Sequence, residues 1–375
     1  MDKCCNIKET LMRIIHCADL HLESSLKSIL TGDKSKERRD ELLHNFDRLV
    51  DYANDNSVDI ILVAGDIFDN GKRRKTAIRH IIDLVKENPD IDFVFLKGNH
   101  DTGGVFDDEY EIPDNVKLFD QKNWKKYEFG DVVIKGVELT KDNYKNVALS
   151  LVLDPGKCNI VTLHAGLANH EGNKEAYEVN LNDLKNKNID YLALGHIHKY
   201  EREELDDKGI YVYPGCLEGR GFDEVGPKGF VLLDIGEDGK VVDTFVPFAK
   251  REIHREEVMI TPEDTMPDII GKVESAVSGI SDKDLVEIIL VGKTNMDELV
   301  DIDTYRIKKT FEDSFYLFKI KDNTTVDVDY ASFANDKSLK GEFIRLLEKE
   351  DLEDEDKSII VELGIKALKG EHLDI

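Results

Sequence analysis

The sequence predicts a layered α/β fold in which a sheet-rich core is followed by a smaller α/β unit and terminal helices. From residue 13 to about residue 200, short apolar runs alternate with segments of helical periodicity, the pattern of alternating strands and helices. After residue 205 only strand-like runs remain, and the alternation resumes from residue 251. At 375 residues, the chain is long enough for one large core and a smaller unit.

The first part of the chain supplies the strands and helices of the predicted core. The first strand is RIIHCADLH, so Met12 is an alternative start and residues 1–11 are expected to be a disordered extension. Later apolar runs predict strands at DIILVAGD, DFVFLKGNHD, DVVIKGVEL, CNIVTLHAG and IDYLALGHIH. Apolar residues at helical spacing predict two helices, with Leu42, Leu43, Phe46, Leu49, Val50 and Ala53 in one and Ala77, Ile78, Ile81, Ile82 and Val85 in the other.

The remainder predicts closing strands and a second unit. The closing strands are GIYVYPG, GFVLLDIG and KVVDTFVPF, the last two joined by the turn EDGK. The second unit is predicted as strand 252–260, helix 264–279, strand 284–292, helix 301–313 and strand 315–321. Two helices, KSLKGEFIRLLEKE and DKSIIVELGIKALKG, follow and are separated by the acidic DLEDED.

Composition excludes several classes of protein. The net charge of -27 and pI near 4.8 suit a cytoplasmic protein, and no apolar run reaches the roughly 18 residues that a membrane span needs. The first residues lack the features of a signal peptide. Five cysteines form no even-numbered disulfide framework, so we expect reduced thiols.

Polar and titratable side chains follow one predicted strand after another. Because ligands bind at the carboxyl ends of strands in open α/β sheets, we expect these side chains to converge. The positions, in chain order, are Asp19, His21, Asp66, Asp69, Asn99, His100, Asp101, His164, His196 and His198.

The mixture of ligand types indicates transition-metal chemistry. Imidazoles, carboxylates and one amide oxygen suit Mn²⁺, Fe²⁺ or Zn²⁺, whereas thiolates or all-oxygen ligands would favour other ions. Seven candidate ligands exceed the need of one ion and suit two divalent ions about 3.5–4 Å apart with a bridging carboxylate. The candidates are Asp19, His21, Asp66, Asn99, His164, His196 and His198.

These motifs, D-x-H, G-D-x-x-D, G-N-H-D, H and G-H-x-H in that order, resemble the calcineurin-like metallophosphoesterase superfamily. With the continuation YPGCLEGRGFDEVGPKGFVLLDI, the chain also resembles bacterial SbcD and YhaO-type DNA repair exonucleases, relatives of the meiotic recombination eleven nuclease. The resemblance implies a layered metallophosphoesterase β-sandwich flanked by helices over 12–250. It also implies a small α/β capping domain over 251–330 and a C-terminal helical segment over 331–375.

The resemblance also implies a role for each of the candidate ligands and for His100. One metal would be held by Asp19, His21, Asp66 and His198, and the other by Asp66, Asn99, His164 and His196. His100 would act on the scissile phosphate, and Mn²⁺ is the expected metal. Asp69 matches the second Asp of G-D-x-x-D in phosphoprotein phosphatases, where archaeal break-repair nucleases carry His, and is therefore expected to orient His100.

The resemblance implies DNA as substrate and an SbcC-like ATPase as partner on the C-terminal helices, and it leaves open whether the chain dimerises. The acidic net charge opposes DNA binding, but KSKERR (34–39) and KRRK (72–75) place positive charge beside the first two motifs. Arg220 could touch phosphate, and Cys216, where family members more often carry Ser, has no assigned role.

Two alternatives remain. The same site could serve a phosphatase or phosphodiesterase that acts on small molecules or nucleotides, because fold and ligands do not define the substrate. A non-catalytic scaffold is a second alternative, which the complete ligand set disfavours.

Overall fold

The computed structural model describes residues 10–22, 24, 30, 32–69, 75–101, 106, 110–168, 177–295, 302–327 and 330–369. The chain divides into two compact units, Met1–Lys250 and Arg251–Ile375. No helix in the described ranges is long and apolar enough to cross a membrane.

The first unit contains two α-helices and fourteen strands among its described residues. In chain order they are β1 (Thr10–Cys17), α1 (Gly32–Asp55), β2 (Ile60–Ala64), α2 (Lys75–Glu87), β3 (Asp92–Leu96), β4 (Val116–Leu118), β5 (Lys125–Phe129), β6 (Val132–Gly136), β7 (Cys158–His164), β8 (Gly166–Leu167), β9 (Glu178–Val179), β10 (Tyr191–Gly195), β11 (Glu201–Glu204), β12 (Ile210–Tyr213), β13 (Gly229–Gly236) and β14 (Val241–Pro247).

Twelve of these strands form two six-stranded sheets. The first sheet has the order β14-β13-β1-β2-β3-β4, and the second has the order β11-β12-β10-β7-β6-β5. Strands β1 to β4 pair in parallel, as do β6, β7, β10 and β12. Parallel pairing brings the carboxyl ends of neighbouring strands to one edge of each sheet, which is where the motif residues lie.

Three apolar clusters hold the layers together. On β1, Ile14 faces the cluster between the two sheets, whereas Ile15 faces the cluster that includes residues of α1 and α2. A third cluster covers the other face of the second sheet, with Leu163 and Leu192 among its members. Strands buried on both faces tend to carry continuous apolar runs, as β2 does, and β7 is likewise buried at every position although Asn159 and Thr162 interrupt its apolar residues.

Among its described residues, the second unit forms a three-stranded parallel sheet and four α-helices. Its elements are β15 (Ile253–Ile260), α3 (Met266–Ala276), β16 (Leu285–Asn295), α4 (Thr304–Phe311), β17 (Leu317–Asp327), α5 (Leu339–Glu348) and α6 (Asp354–Lys369), and the sheet order is β15-β16-β17. A capping box between Thr265 and Asp268 begins α3, and the side chain of Ser338 caps α5. Ile288 and Val273 are fully buried in its core.

The predicted fold class is confirmed, although several short strands were not predicted. The unpredicted strands are β4, β5, β8, β9 and β11. Two of these, β5 (KKYEF) and β11 (EREE), are the edge strands of the second sheet and carry mostly charged residues. Charged edges discourage pairing with other chains, and they also remove the apolar signal on which strand prediction depends.

Candidate metal centre

The predicted ligands lie at the carboxyl ends of five strands in the two sheets. In the first sheet, Asp19, Asp66 and Asn99 follow the adjacent strands β1, β2 and β3. In the second sheet, His164 ends β7, and His196 follows the adjacent strand β10. Because the sheets pack face to face, these ends meet at one edge of the sandwich.

Asp66 lies at the centre of the site and is buried. Its Oδ2 is 3.8 Å from Nε2 of His21, 3.3 Å from Nε2 of His164 and 3.9 Å from Nε2 of His100. Its other oxygen, Oδ1, accepts a hydrogen bond from the backbone N–H of His100 at 2.8 Å. One oxygen is therefore engaged by the backbone, while the other faces three imidazole rings.

A second convergence of ligand atoms involves Asp19, His21 and His198. The Nε2 atoms of the two imidazoles are 3.1 Å apart. Oδ1 of Asp19 is 3.6 Å from Nε2 of His198 and 4.0 Å from Nε2 of His21. The carboxylate of Asp19 also accepts the backbone N–H of His196 at 3.0 Å, which holds it in place.

The surroundings of His164 provide a test of whether a cation fits. Its Nδ1 donates to the carbonyl oxygen of Ala64 at 2.9 Å, so in the neutral ring Nε2 carries a lone pair. That lone pair faces Oδ1 of Asn99 at 2.9 Å and the carboxylate of Asp66. As placed, these acceptors face one another, and a cation between them would offset their repulsion, so the residues present fit a bound cation. A proton on Nε2 of His164 would also satisfy these oxygens. Burial lowers the pKa of His164, but the charge of Asp66 outweighs that effect and raises the pKa to about 9.

Four of the motif residues have left-handed backbone conformations that are unusual for residues other than glycine. The φ angles are 52° for Asp19, 42° for His21, 51° for Asp66 and 106° for His196. Hydrogen bonds between the first two loops hold the first three of these residues, from the N–H of Asp19 to Gly65 O and from the N–H of His21 to Asp66 O, both at 3.0 Å. Such strain clusters at functional sites.

Two motif glycines are required by close approach. A Cβ on Gly98 would lie 2.0 Å from Oδ1 of Asp66 and 2.4 Å from its backbone nitrogen. A Cβ on Gly195 would lie 2.0 Å from the carbonyl oxygen of Ala64 and 2.8 Å from Nδ1 of His164. The glycines of GNHD and GHIH therefore allow the strand ends to approach closely enough for their ligands to meet.

His100 differs from the buried ligands because a fifth of its side chain is exposed. Its Nδ1 is 3.5 Å from Oδ1 of Asp69, and this contact with a carboxylate raises the pKa of the imidazole. Oδ1 of Asp69 is also 3.9 Å from Nδ1 of His21.

Asp101, the third polar side chain of GNHD, has a structural role. Its buried carboxylate accepts backbone N–H groups from Ile67, Phe68 and Gly98 at 2.9–3.2 Å. The carboxylate thus joins the loop after β2 to the loop after β3, and it holds Asp66 and Asn99 side by side.

Not every candidate is equally close to the centre. Among the described residues, three groups of His, Cys, Asp or Glu have ligand atoms all within 4.8 Å of one another: Asp19, His21 and His198; His21, Asp69 and His100; and Asp19, Asp66 and His164. His196 is in none of these groups; its ring packs edge-on against His164 with centroids 5.6 Å apart. The amide oxygen of Asn99 contacts the ring of His164 from the other loop.

Sequence analysis missed a carboxylate beside the site. Oε1 of Glu224 is 2.7 Å from Nδ1 of His198, and the guanidinium of Arg220 pairs with the same carboxylate. Burial opposes ionisation of Glu224, but contact with His198 and Arg220 lowers its pKa well below its usual range. The available signal was RGFDE, an Arg and a Glu four residues apart in the segment between two predicted strands.

The interpretation of KSKERR as positive charge available to phosphate is wrong for one of its residues. Arg38 is 1% exposed, and it bonds Oε1 of Glu218 at 2.6 Å and the carbonyl oxygen of Gly219 at 2.8 Å. In KRRK, residues 72–74 lie outside the described residues.

Comparison with known proteins identifies the family of this chain. A family model described as calcineurin-like phosphoesterase matches residues 12–200. The chain is 26% identical to "DNA double-strand break repair protein Mre11" of Saccharolobus solfataricus over 390 residues, with 97% of each chain covered. It is 28% identical to "Uncharacterized metallophosphoesterase YhaO" of Bacillus subtilis, covering 60% of this chain and 58% of the relative. It is 25% identical to a protein of Staphylococcus saprophyticus that is named as a subunit of the nuclease SbcCD, covering 63% and 69%. The chain belongs to the calcineurin-like phosphoesterase family.

Proposed function

We propose that this protein is a phosphodiesterase with two divalent metal ions that cuts DNA in repair. The observation that carries the proposal is the position of Asp66, whose Oδ2 faces imidazole nitrogens from three separate loops within 4 Å. The calcineurin-like phosphoesterase family uses a dinuclear divalent metal centre, and the convergence at Asp66 supplies candidate ligands for one. The reaction is hydrolysis of a phosphoester bond.

Each ion has a proposed ligand set, with Asp66 shared between them. One ion would be held by Asp19, His21, Asp66 and His198, and the other by Asp66, Asn99, His164 and His196. The mixture of nitrogen and oxygen donors favours Mn²⁺, with Fe²⁺ or Zn²⁺ as substitutes. When bound, such a pair of ions lowers the pKa of a coordinated water and neutralises charge on the phosphoryl oxygens.

His100 is the proposed catalytic residue. Its ring lies beside Asp66 but is partly exposed, so it can reach a bound phosphodiester. Asp69 holds a proton on Nδ1, since the carboxylate accepts from that atom, and this leaves Nε2–H of the imidazolium to donate to the leaving oxygen. Asp69 is a positioning residue in this scheme.

DNA is the substrate we favour over small phosphodiesters. The similarity to a protein named for DNA double-strand break repair extends over 97% of both chains and therefore includes the second unit. The net charge of -27 requires local positive charge for DNA binding. On α2, Lys75, Arg79 and Lys86 line one surface hollow, although Asp83 and Glu111 line it too.

The second unit has a proposed role in restricting substrate and binding a partner. Residues 251–330 would cap the nuclease domain (12–250), and residues 331–375 would dock an SbcC-like ATPase. The C-terminal helices expose apolar side chains, among them Leu346, Ile359 and Leu363, and one relative is named as part of a complex. The cytoplasmic location and the homodimer remain predictions. Light scattering, which measures the molar mass in solution, tests the homodimer.

The test is cleavage of end-labelled duplex and single-stranded DNA with Mn²⁺, with and without an ATPase encoded nearby. We expect His100→Asn to reduce cleavage by about 10²- to 10⁴-fold, as loss of a general acid does. His44→Asn, an exposed histidine on α1, is the matched control and should cleave like the wild type.

Each contrary result has its own meaning. Unchanged cleavage by His100→Asn would remove that residue from the mechanism. Turnover of a chromogenic phosphodiester without cleavage of any DNA would identify a small-molecule phosphodiesterase. Two bound Mn²⁺ with no activity on either substrate would identify a scaffold.

A further inference from the structure

We infer that Glu224 and Arg220 form a positioning pair that fixes the imidazole ring of His198 for metal binding. The inference rests on the proposed function, which assigns His198 as a metal ligand. It adds to that proposal two residues that lie outside the predicted motifs.

The two nitrogens of His198 face different partners. Nδ1 lies 2.7 Å from Oε1 of Glu224, whose side chain is 6% exposed. Nε2 faces the proposed metal position, 3.1 Å from Nε2 of His21 and 3.6 Å from Oδ1 of Asp19. The ring therefore links the carboxylate on one side to the ligand cluster on the other.

The proton of the neutral ring belongs on Nδ1. Nδ1 also lies 3.2 Å from Nη2 of Arg220, which could donate to a bare nitrogen. The contact with Glu224 decides between the two, because a carboxylate at 2.7 Å only accepts and therefore needs a donor. With the proton on Nδ1, the lone pair of Nε2 is directed towards the position of the ion.

Arg220 prevents Glu224 from turning away. Its Nη2 and Nε donate to Oε1 at 2.7 and 3.2 Å, and its backbone N–H donates to Oε2 at 2.7 Å. A buried carboxylate needs such compensation, since an unpaired buried charge is strongly destabilising. Both oxygens of Glu224 are thereby fixed relative to the backbone of residue 220.

The backbone of His198 is held by the same segment of chain. Its carbonyl oxygen accepts from Nζ of Lys228 at 2.8 Å and from Sγ of Cys216 at 3.7 Å. Sγ of Cys216 also lies 3.8 Å from Oε2 of Glu224. Residues 216–228 thus contact His198 at both its ring and its peptide group.

A buried ion pair anchors this segment to the first helix. Arg38 of α1 bonds Glu218 and Gly219, and the amide of Asn45 donates to Oε2 of Glu218 at 3.3 Å. The backbone N–H of Lys250 donates to the same oxygen at 2.7 Å. The segment that carries the positioning pair is therefore tied to rigid elements, which is what precise ligand placement requires.

The expected effect is specific to one of the two ions. Carboxylates that accept from a metal-binding histidine fix its tautomer and orientation, and their loss costs about 10- to 100-fold in metal affinity. Glu224→Gln keeps the shape, but its NH₂ can donate to Nδ1 and favour a proton on Nε2. The ion that includes His198 should therefore bind more weakly, while the ion at His164 is unaffected.

The experiment titrates metal-free full-length protein with Mn²⁺ and follows the free ion by electron paramagnetic resonance. We expect two bound ions in the wild type and, in Glu224→Gln, about 10- to 100-fold weaker binding of one of them. Asp223→Asn is the matched control, because this neighbouring carboxylate is exposed and its change removes the same charge. It should bind both ions like the wild type.

A second measurement separates positioning from general damage to the fold. In the diamagnetic Zn²⁺-loaded protein, ¹⁵N nuclear magnetic resonance should show His198 protonated at Nδ1, and Glu224→Gln should change that signature. Should Glu224→Gln not fold, Arg220→Lys, which keeps a cation but loses the two-pronged contact, should weaken the same ion alone.

The outcomes distinguish this inference from the function on which it rests. If the wild type fails to bind two Mn²⁺, the proposed metal site and this inference both fall. If the wild type binds two and folded Glu224→Gln or Arg220→Lys binds both equally well, only the positioning role is overturned.

Discussion

Replacement of Gly98 by alanine would test the shared aspartate most directly. The added Cβ would lie 2.0 Å from Oδ1 of Asp66 and 2.4 Å from its backbone nitrogen. Real Cβ atoms essentially never lie within 3.0 Å of a non-bonded heavy atom, so Asp66 or the GNHD loop must move by about 1 Å. Rotation of the carboxylate alone gives no relief, because one of the two clashes is with backbone.

The size of this shift sets the expected loss. Metal–ligand distances tolerate only about 0.2 Å, so a movement of about 1 Å removes Asp66 from both ions. We expect Gly98→Ala to bind both Mn²⁺ ions at least about 100-fold more weakly and to lose phosphodiesterase activity by a similar factor or more. Both ions should be affected, in contrast to the single ion expected for Glu224→Gln.

The assay is Mn²⁺ titration, with thermal unfolding in EDTA as a measure of stability without metal. Overpacking costs about 1–3 kcal/mol, which corresponds to a Tm lower by about 2–12 °C for a unit of this size. Gly271→Ala is the control, since a Cβ there meets nothing within 4 Å. If folded Gly98→Ala bound both ions with wild-type affinity, Asp66 could not be the bridging ligand.

Two further predictions concern His100 and Arg38. Asp69→Asn removes the carboxylate that raises the pKa of His100, so His100 should lose its proton at a lower pH. The alkaline limb of the kcat/KM profile should therefore move to lower pH. A limb that stayed in place would contradict the pairing of Asp69 with His100. Arg38→Met leaves Glu218 buried without its cation and should cost about 3–5 kcal/mol in denaturant unfolding, whereas exposed Lys36→Met on the same helix should cost less than about 0.5 kcal/mol. Equal effects of the Arg38 and Lys36 changes would show that the buried pair contributes nothing.

Much of the fold was predictable because the core strands are buried on both faces. β2 is continuously apolar and β7 is mostly apolar, and each leads into a polar residue of the site, so the strands and their ends could be located together. Strands β5 and β11 were not predicted because edge strands often carry charged residues in place of the apolar residues on which strand prediction depends. Helix boundaries were approximate for the usual reason that helix ends carry weak signals.

The role of Arg38 could not be predicted from local pattern. Four cations within six residues, KSKERR, are typical of a solvated helix start. Only the tertiary structure shows that the side chain of Arg38 faces inward and meets Glu218, 180 residues later in the chain. A single buried cation among exposed ones has no signature in composition, because its partner is distant in sequence.

The amino-acid sequence by itself determined the family, the order of the central strands and the helices, and the set of polar residues at the strand ends. Those features follow from local hydrophobic periodicity and from short motifs, which are properties of neighbouring residues. Tertiary structure alone decided that Asp66 faces three imidazoles, that His196 lies outside the tight clusters, and that Glu224 meets His198. These are contacts between residues far apart in the chain, and they depend on how the two sheets pack and on where glycine allows a close approach.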